Sequence, residues 1–349
     1  MMKPIFKDPA VQAFFDENGY VKLQLLNEEE VAKLNDFYNT LNNDHVTEYG
    51  FHVTMDNKDT QFVKRVINEL ESVILPKANE HFFECKMFTG SFVVKEPRLN
   101  SFVPPHQDWS FTDEVDYCSV TVWTALSETD IDNGAMAILK GSHKFFPFKR
   151  ASPSPGFKSP FQAHSFELFP YMELVPMKPG EALIFDNRTI HASPPNRSDK
   201  PRVAAGIGLT QKEAQLYHYY VVPGSDPQML EAYKIEPEFF FEYNNRKLYQ
   251  YQQEGRKPEG YEAITLIENE PHILTAEELR DLALSSGNRV DERLDQYLRG
   301  FLEGMRQQQE QQQSQQREQK NDNGHTGQST SEPVKRRGLI NSIRQLLNI

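Results

Sequence analysis

Apolar positions near the start of the chain follow a helical spacing around one short strand. Residues 19–23 read as a strand that leaves a turn, and Asn27 with Glu30 three positions later forms a capping-box pattern. The apolar stripe of the helix that follows comprises Val31, Leu34, Phe37, Tyr38 and Leu41. A second helix is predicted over residues 61–84. The N-terminal part is therefore expected to be mainly helical.

The middle of the chain has the pattern of a β-rich domain. From Cys85 onward, short apolar segments alternate with Pro, Gly, Asn and Asp. The predicted strands are residues 91–95, 118–126, 135–139, 182–185 and 203–210. Several short strands with turns between them favour a sandwich or barrel over alternating strand–helix units. Neither of the common glycine-rich loops that bind nucleotide phosphates occurs in the sequence.

Beyond residue 261 the pattern favours helices again. Thr275 is predicted to begin one helix, and residues 289–305 form a second stretch with helical spacing. Residues 307–320 are rich in Gln, a composition that cannot bury a core and predicts disorder or a loose helix. The last residues, 335–349, form a basic amphipathic segment. Such a segment can dock on a protein partner or a membrane surface, or it can pack on its own domain.

The composition suits a folded domain without a nucleic-acid partner. Of 349 residues, 38% are hydrophobic and 11% aromatic, which is enough to bury a substantial core. The net charge of -12, with no long basic stripe in the body of the chain, argues against nucleic acid as the main partner. Cys85 and Cys118 favour reduced thiols over a disulfide. Residues 1–18 lack the apolar run of a signal peptide, and no stretch suits a transmembrane segment, so we expect a cytoplasmic protein.

Two histidines and one aspartate have the arrangement expected of a metal site. His106 and Asp108 form an HxD motif where a strand runs into a turn, and His191 follows the strand predicted over residues 182–185. Two imidazoles and one carboxylate on one face of an iron(II) octahedron leave three positions open for an oxidant and a co-substrate. 2-Oxoglutarate chelates such a metal and needs a buried cation for its distal carboxylate, for which the planar guanidinium of Arg202 is the candidate. Because HxD alone occurs by chance in many proteins, the interpretation depends on the combination.

Several motifs resemble one family of oxygenases. They are PPHQDW at 104–109, VWTALSETDIDNGAMAILKGSH at 122–143, IHASPPNRSDKPRVAAGI at 190–207 and GYVKLQLLNEEEVAKL at 19–34. Over about residues 10–220 the sequence is similar to the phytanoyl-CoA dioxygenase family of iron(II)/2-oxoglutarate oxygenases. The resemblance implies a mainly β core, namely a double-stranded β-helix (a jelly-roll, cupin-like fold), with flanking α-helices and a flexible C-terminal tail.

The same resemblance implies roles for individual residues. His106, Asp108 and His191 are implied as the catalytic ligands of the iron. The residues implied for 2-oxoglutarate are Arg202 and Ser193, at its distal carboxylate, together with Trp123 and Gln107. Related halogenases lack the carboxylate so that chloride can bind iron, and its presence at position 108 therefore favours oxygenation.

The function implied by the resemblance is an iron(II)- and 2-oxoglutarate-dependent dioxygenase. It would use O2 to hydroxylate a C–H bond of a small organic or acyl-type substrate while 2-oxoglutarate is decarboxylated to succinate, and ascorbate is expected to support turnover. The dioxygenase domain is predicted to span residues 1–265, followed by a helical extension over 266–305. A Gln-rich low-complexity linker over 306–334 and a basic amphipathic helix over 335–349 would complete the chain.

Two other functions are compatible with parts of the sequence. A cupin-like metalloprotein of other chemistry would usually carry an HxH motif, which does not occur here. A catalytically silent scaffold could keep the fold and act through its C-terminal tail. The intact set of candidate ligands and Arg202 counts against the scaffold.

A Phe-rich insertion, residues 145–169, interrupts the predicted strands. Basic side chains that include Lys149 and Arg150 lie in it. The insertion is either a lid over the mouth of the metal site or a surface loop fixed by aromatic packing. As a lid, it would favour a small-molecule substrate that carries a carboxylate or phosphate.

Overall fold

The computed structural model describes residues 2–41 and 50–323, so the predicted basic helix over residues 335–349 lies outside the described residues. The strands are β1 (Tyr20–Gln24), β2 (Phe51–Val53), β3 (Cys85–Lys95), β4 (Val103–His106), β5 (Ser119–Ala125), β6 (Met136–Ile138), β7 (Glu173–Val175), β8 (Glu181–Asp186), β9 (His191–Ser193), β10 (Arg202–Gln211), β11 (Leu216–Val221), β12 (Met229–Ile235) and β13 (Ala263–Glu268). The α-helices are α1 (Pro9–Asn18), α2 (Glu28–Thr40), α3 (Thr60–His81), α4 (Phe239–Glu242), α5 (Asn245–Gln253), α6 (Ala276–Ser285) and α7 (Glu292–Asn323).

Eight consecutive strands, β3 to β10, are divided equally between two antiparallel sheets. One sheet has the order β8-β5-β10-β3, extended by β1 and β2 at its two edges, and the other has the order β4-β9-β6-β7. Along the chain, β3, β5, β8 and β10 belong to the first sheet and the strands between them to the second. This connectivity is a double-stranded β-helix, as the sequence predicts.

The largest core lies between the six-stranded sheet and the helices α2 and α3. The buried apolar residues of α3 that contribute to it recur at helical spacing: Phe62, Val63, Val66, Ile67, Leu70, Val73, Ile74 and Ala78. On β10, Ala205, Ile207 and Leu209 belong to the same core. Because side chains alternate along a strand, Arg202 and Gly206 on β10 face the interior between the two sheets. That interior holds the candidate site.

The N-terminal predictions are confirmed. Asn27 caps α2, with its side chain accepting a hydrogen bond from the Glu30 amide at 2.9 Å, while the Glu30 carboxylate accepts one from the Asn27 amide at 2.8 Å. The helix predicted over residues 61–84 is α3, which ends at His81. The strand predicted over residues 91–95 is the last part of β3, whose pairing with β10 extends it back to Cys85.

Between residues 212 and 323 the structure adds a three-stranded sheet and four α-helices. The helical pattern predicted beyond residue 261 is wrong for Ala263–Glu268, which forms β13 because it pairs with β12. Thr275 caps α6 through a capping box with Glu278, as predicted. α7 ends at Asn323 and so runs through the Gln-rich residues 307–320.

The Phe-rich insertion packs into a second core. Residues 162–171 form 3-10 turns, and Phe161, Leu168 and Phe169 are buried against Phe102 and the apolar faces of α6 and α7. The insertion is therefore fixed by aromatic and aliphatic packing, which is the surface-loop alternative of the two predictions.

The structure bears on membrane-spanning helices and on the state of the two cysteines. Within residues 2–41 and 50–323, no helix is both long and apolar enough to cross a bilayer. Cys85 and Cys118 are both free thiols, as predicted.

Candidate metal centre

The pairing of β4 with β9 brings two histidines together. His106 and His191 are register partners, and their ring centroids lie 4.1 Å apart. Nδ1 of His106 lies 2.8 Å from the carbonyl oxygen of Pro104, and Nδ1 of His191 lies 3.0 Å from that of Thr189. Because a carbonyl oxygen only accepts hydrogen bonds, each Nδ1 carries the proton and each Nε2 keeps a free lone pair. Both imidazoles are thus in the tautomer that a metal ion needs.

Asp108 completes a three-residue cluster. Its Oδ1 lies 4.0 Å from Nε2 of His106 and 3.8 Å from Nε2 of His191. One ligand atom from each residue lies within 4.8 Å of the other two. A metal ion with bonds of about 2.1 Å to nitrogen and oxygen fits among atoms at this spacing.

Burial favours the neutral, unprotonated form of the His106 imidazole. Burial, followed by the proximity of His191, holds the pKa of His106 well below its usual value of 6.5. The neutral imidazole is the form that binds a metal ion, so the protein environment favours the ligating state.

Thr121 and Asn187 form a chain of polar contacts that ends at Oδ2 of Asp108. The Thr121 hydroxyl donates to Oδ2 of Asp108 at 3.0 Å and also lies 3.0 Å from Oδ1 of Asn187. A hydroxyl has one proton, and the Asn187 amide nitrogen has no partner among the described residues. Exchanging the amide oxygen and nitrogen of Asn187 gives a continuous chain of donors that ends on Asp108. Neither residue is predicted from its local sequence, although each is a polar residue next to an apolar strand segment.

Arg202 lies at the first position of β10 and lines a cavity of about 260 Å³ that also borders all three candidate ligands. Its side chain is buried, at 2% exposure, and Nε and Nη1 have no hydrogen-bond partner among the described residues. The Trp123 ring, 4.9 Å away, covers one face of the guanidinium. Burial lowers the pKa of Arg202 to about 9, so the group stays charged at neutral pH. A buried, unpaired guanidinium is suited to a carboxylate ligand.

Lys95 is a second buried cation that the sequence analysis missed. Its Nζ donates to the carbonyl oxygens of Ser101 at 2.7 Å, Ser193 at 3.1 Å and Pro194 at 2.6 Å. Burial, and then the nearby Arg202, lower the pKa of Lys95. Three carbonyl acceptors nevertheless require three donated protons, so this geometry belongs to the ammonium form. Lys95 thereby ties the segments before β4 and after β9 to β3.

The other residues predicted for the co-substrate divide into two groups. Ser193 and Trp123 line the cavity together with Arg202. Gln107 does not line it, because its amide nitrogen donates to the Arg188 carbonyl and its side chain faces a separate cavity of about 20 Å³. The HxD motif carries a signal for this, because adjacent residues in an extended segment point in opposite directions and Gln107 lies between the two ligands.

The Phe-rich insertion does not cover the metal site, since none of residues 145–169 lines the larger cavity. Lys149 and Arg150 do not line this cavity either, although Nε of Arg150 donates to the backbone carbonyl oxygen of Asp108 at 2.6 Å. Arg150 forms a buried ion pair with Glu114, and Lys149 lies 3.5 Å from Asp113. In this structure the insertion does not form a lid over the cavity, and both cations are paired with carboxylates of the protein.

Two imidazoles and one carboxylate between the sheets of a double-stranded β-helix are typical of non-haem iron(II) oxygenases. Residues 15–204, more than half of the chain, match the family model described as phytanoyl-CoA dioxygenase. The chain belongs to the phytanoyl-CoA dioxygenase family.

Individual relatives are distant. A Caenorhabditis briggsae protein named phytanoyl-CoA dioxygenase domain-containing protein 1 homolog is 25% identical over 142 residues, which cover 37% of this chain and 48% of that protein. A Stutzerimonas stutzeri protein named probable alpha-ketoglutarate-dependent hypophosphite dioxygenase is 28% identical over 230 residues, 57% of this chain and 77% of that protein. The crystal structure of the carbocyclase SnoK from nogalamycin biosynthesis is 20% identical with a TM-score of 0.46, covering 60% of this chain and 86% of that one. The chain spans about half the length of the nematode relative.

Proposed function

We propose that this protein is an iron(II)- and 2-oxoglutarate-dependent dioxygenase that hydroxylates a C–H bond of a small organic substrate and releases succinate. The observation that carries the proposal is the cluster of His106, Asp108 and His191 in one cavity with the unpaired guanidinium of Arg202. The family membership is consistent with it.

The donor set fits iron(II). Two imidazole nitrogens with fixed tautomers and one carboxylate oxygen are the ligands of the facial arrangement, which leaves coordination positions free for a chelating co-substrate and O2. Iron, when bound, supplies the activation of O2. Thr121 orients the Asp108 carboxylate by its hydrogen bond to Oδ2, leaving Oδ1 directed at the two imidazoles.

Arg202 and its neighbours suit the distal carboxylate of 2-oxoglutarate. Arg202 would donate from Nε and Nη1, which lack partners among the described residues, and Ser193 offers a hydroxyl on the same cavity wall. Trp123 limits the guanidinium to one orientation by covering its face. The apolar lining around these groups would exclude water and strengthen their interaction with the ligand.

The test is stoichiometric turnover with purified full-length protein, iron(II), ascorbate and O2. We expect 2-oxoglutarate to be converted to succinate and CO2, slowly without a primary substrate. Asp108→Ala should lower the rate about 100-fold or more, since the remaining ligands hold iron poorly. Asp113→Ala, at an exposed aspartate on the following turn, is the matched control and should keep the rate. Equal rates in the two variants would contradict the proposal.

Some broader predictions remain. The division into a dioxygenase domain over residues 1–265, an extension over 266–305, a linker over 306–334 and a basic helix over 335–349 stays a proposal. Docking of residues 335–349 on a protein or membrane partner also stays a prediction. The same holds for a cytoplasmic location.

A further inference from the structure

Four aromatic rings line the part of the cavity that the candidate ligands do not occupy. This aromatic wall consists of Phe51 on β2, Phe88 on β3, Phe111 before β5 and Phe240 on α4. Phe111 lies 4.7 Å from Phe88 and 5.4 Å from Phe240 between ring centroids, and Phe88 lies 6.0 Å from Phe240. Three separate parts of the chain thus place Phe88, Phe111 and Phe240 in one contiguous apolar surface, and Phe51 lines the same cavity as the candidate ligands.

Two glycines on β10 provide the space in front of this surface. A Cβ atom at Gly208 would lie 2.6 Å from the Phe88 ring, so this glycine is needed for Phe88 to pack as it does. A Cβ atom at Gly206 would meet only the Val93 side chain at 3.6 Å and the Ser91 carbonyl at 3.7 Å, which are ordinary contacts. Neither packing nor backbone conformation therefore requires glycine at position 206. Its effect is to leave the cavity open beside its register partner Trp123.

The charges around the cavity are limited to the groups that the proposed function already uses. Among the described residues that line it, Asp108 and Arg202 are the only ones with an acidic or strongly basic side chain. An ionised group placed against the aromatic wall would lose its hydration without gaining a partner, which disfavours its binding. An uncharged hydrocarbon or aromatic group would instead gain binding free energy in proportion to the apolar area removed from water.

We propose that the primary substrate of this site is an uncharged, largely apolar molecule whose hydrocarbon or aromatic part binds between the aromatic wall and Gly206. The inference rests on the proposed function, because it assigns Arg202 to 2-oxoglutarate and so leaves no free cation for the substrate. It also replaces the expectation of an anionic substrate, whose supposed partners Lys149 and Arg150 are paired away from the cavity.

The experiment compares neutral and anionic probes of matched shape. Toluene with benzoate and 1-hexanol with hexanoate are titrated by calorimetry into full-length protein loaded with Zn(II) and 2-oxoglutarate, which fills the metal and Arg202 positions without turnover. We expect each neutral probe to bind at least about tenfold more tightly than its carboxylate counterpart. Gly206→Ala should weaken the neutral probes about three- to tenfold by filling part of the cavity. Gly300→Ala, at an exposed glycine of α7 with no neighbour within 4 Å of the added Cβ, should leave them unchanged.

Met55→Lys provides a second variant, because Met55 is a half-buried cavity residue on a 3-10 turn and can be replaced without opening the core. It should weaken the neutral probes and strengthen the carboxylates. Carboxylates that bind the unsubstituted protein as tightly as their neutral partners would overturn the inference, as would neutral binding that is insensitive to both variants. Binding of 2-oxoglutarate itself is measured first. If it fails while the neutral preference holds in the Arg202→Met protein, the proposed co-substrate is wrong and the assignment of the apolar substrate class stands.

Discussion

Lys95 and Arg202 are register partners on β3 and β10, so two buried cations lie side by side between the sheets. The ammonium of Lys95 is neutralised in part by three carbonyl oxygens, whereas Nε and Nη1 of Arg202 have no partner among the described residues. Two like charges in a dry interior repel each other, which is one reason why the pKa of Lys95 is lowered. A bound anion would relieve this repulsion, and the folded protein therefore carries a built-in preference for one.

A dicarboxylate should consequently stabilise the protein even without metal. We expect 2-oxoglutarate to raise the free energy of unfolding by about 2.7 kcal/mol at a concentration 100 times its Kd, measured as a shift of Tm. Arg202→Met should abolish the shift, and Arg202→Lys should reduce it because a point charge loses the bidentate geometry. Arg197→Met, at a largely exposed arginine of the preceding loop, is the control. A shift that survives in Arg202→Met would assign the anion to another cation.

Lys95→Met should destabilise the fold. The variant removes three hydrogen bonds, so the buried carbonyls of Ser101, Ser193 and Pro194 each lose the donor that Nζ supplies. We expect a loss of about 3 kcal/mol or more in urea unfolding, because each unsatisfied buried group costs about 1–3 kcal/mol. Lys200→Met, at an exposed lysine, should change the free energy of unfolding by less than about 0.5 kcal/mol. Similar losses in the two variants would show that the buried ammonium has no special role.

Thr121→Val tests the orientation of the metal ligand. Valine keeps the shape of threonine but removes the hydrogen bond to Oδ2 of Asp108. The affinity for iron(II), measured anaerobically by competition with a chelator, should fall about 10- to 100-fold. Thr124→Val on the same strand is a matched control, because the Thr124 hydroxyl is buried and has no hydrogen-bond partner among the described residues. The idea fails if both valine variants bind iron as the unsubstituted protein does.

His218 should make stability depend on pH in mildly acidic solution. Burial, with the Phe239 ring centroid 4.7 Å away, lowers the pKa of His218 to about 3 in the folded protein. In the unfolded chain the imidazole takes up a proton near pH 6.5, so the unfolded state binds more protons between these values. Stability therefore falls as the pH decreases below 6.5, by up to about 1.4 kcal/mol per pH unit from this residue.

His218→Phe should flatten that dependence between pH 6.5 and 4, as measured by urea unfolding at a series of pH values. His164→Phe, at an exposed histidine, should leave the slope as it is. An unchanged slope in His218→Phe would mean that the buried imidazole is protonated in the folded protein.

The sequence predicted the parts of the molecule whose signals are local. The capping boxes at Asn27 and Thr275, the amphipathic α3 and the HxD motif each depend on residues a few positions apart. The eight-stranded architecture followed from the family resemblance. The strands β4 and β9 were too short to show an alternation, although their pairing aligns His106 with His191.

The residues of the site that the sequence did not predict are brought together by contacts between strands that are far apart in the chain. Lys95 meets Arg202 only because β3 pairs with β10, and Thr121 reaches Asp108 only because β5 in one sheet faces the segment that follows β4 in the other. Nothing in the neighbouring sequence marks these contacts. Phe240 was missed for a further reason, since α4 lies beyond the region of family resemblance and yet contributes to the cavity.

The second core ties the far end of the chain to the metal-bearing strand. Phe301 of α7 stacks on Phe102 at 4.7 Å between ring centroids, and Phe102 directly precedes β4, which ends at His106. A shortened protein limited to the family-matched residues 15–204 would lack both Phe301 and Phe240. Such a protein would expose Phe102 at the start of β4 and would lack one side of the cavity. Recombinant truncations meant to retain the metal centre therefore have to extend through the buried Met305.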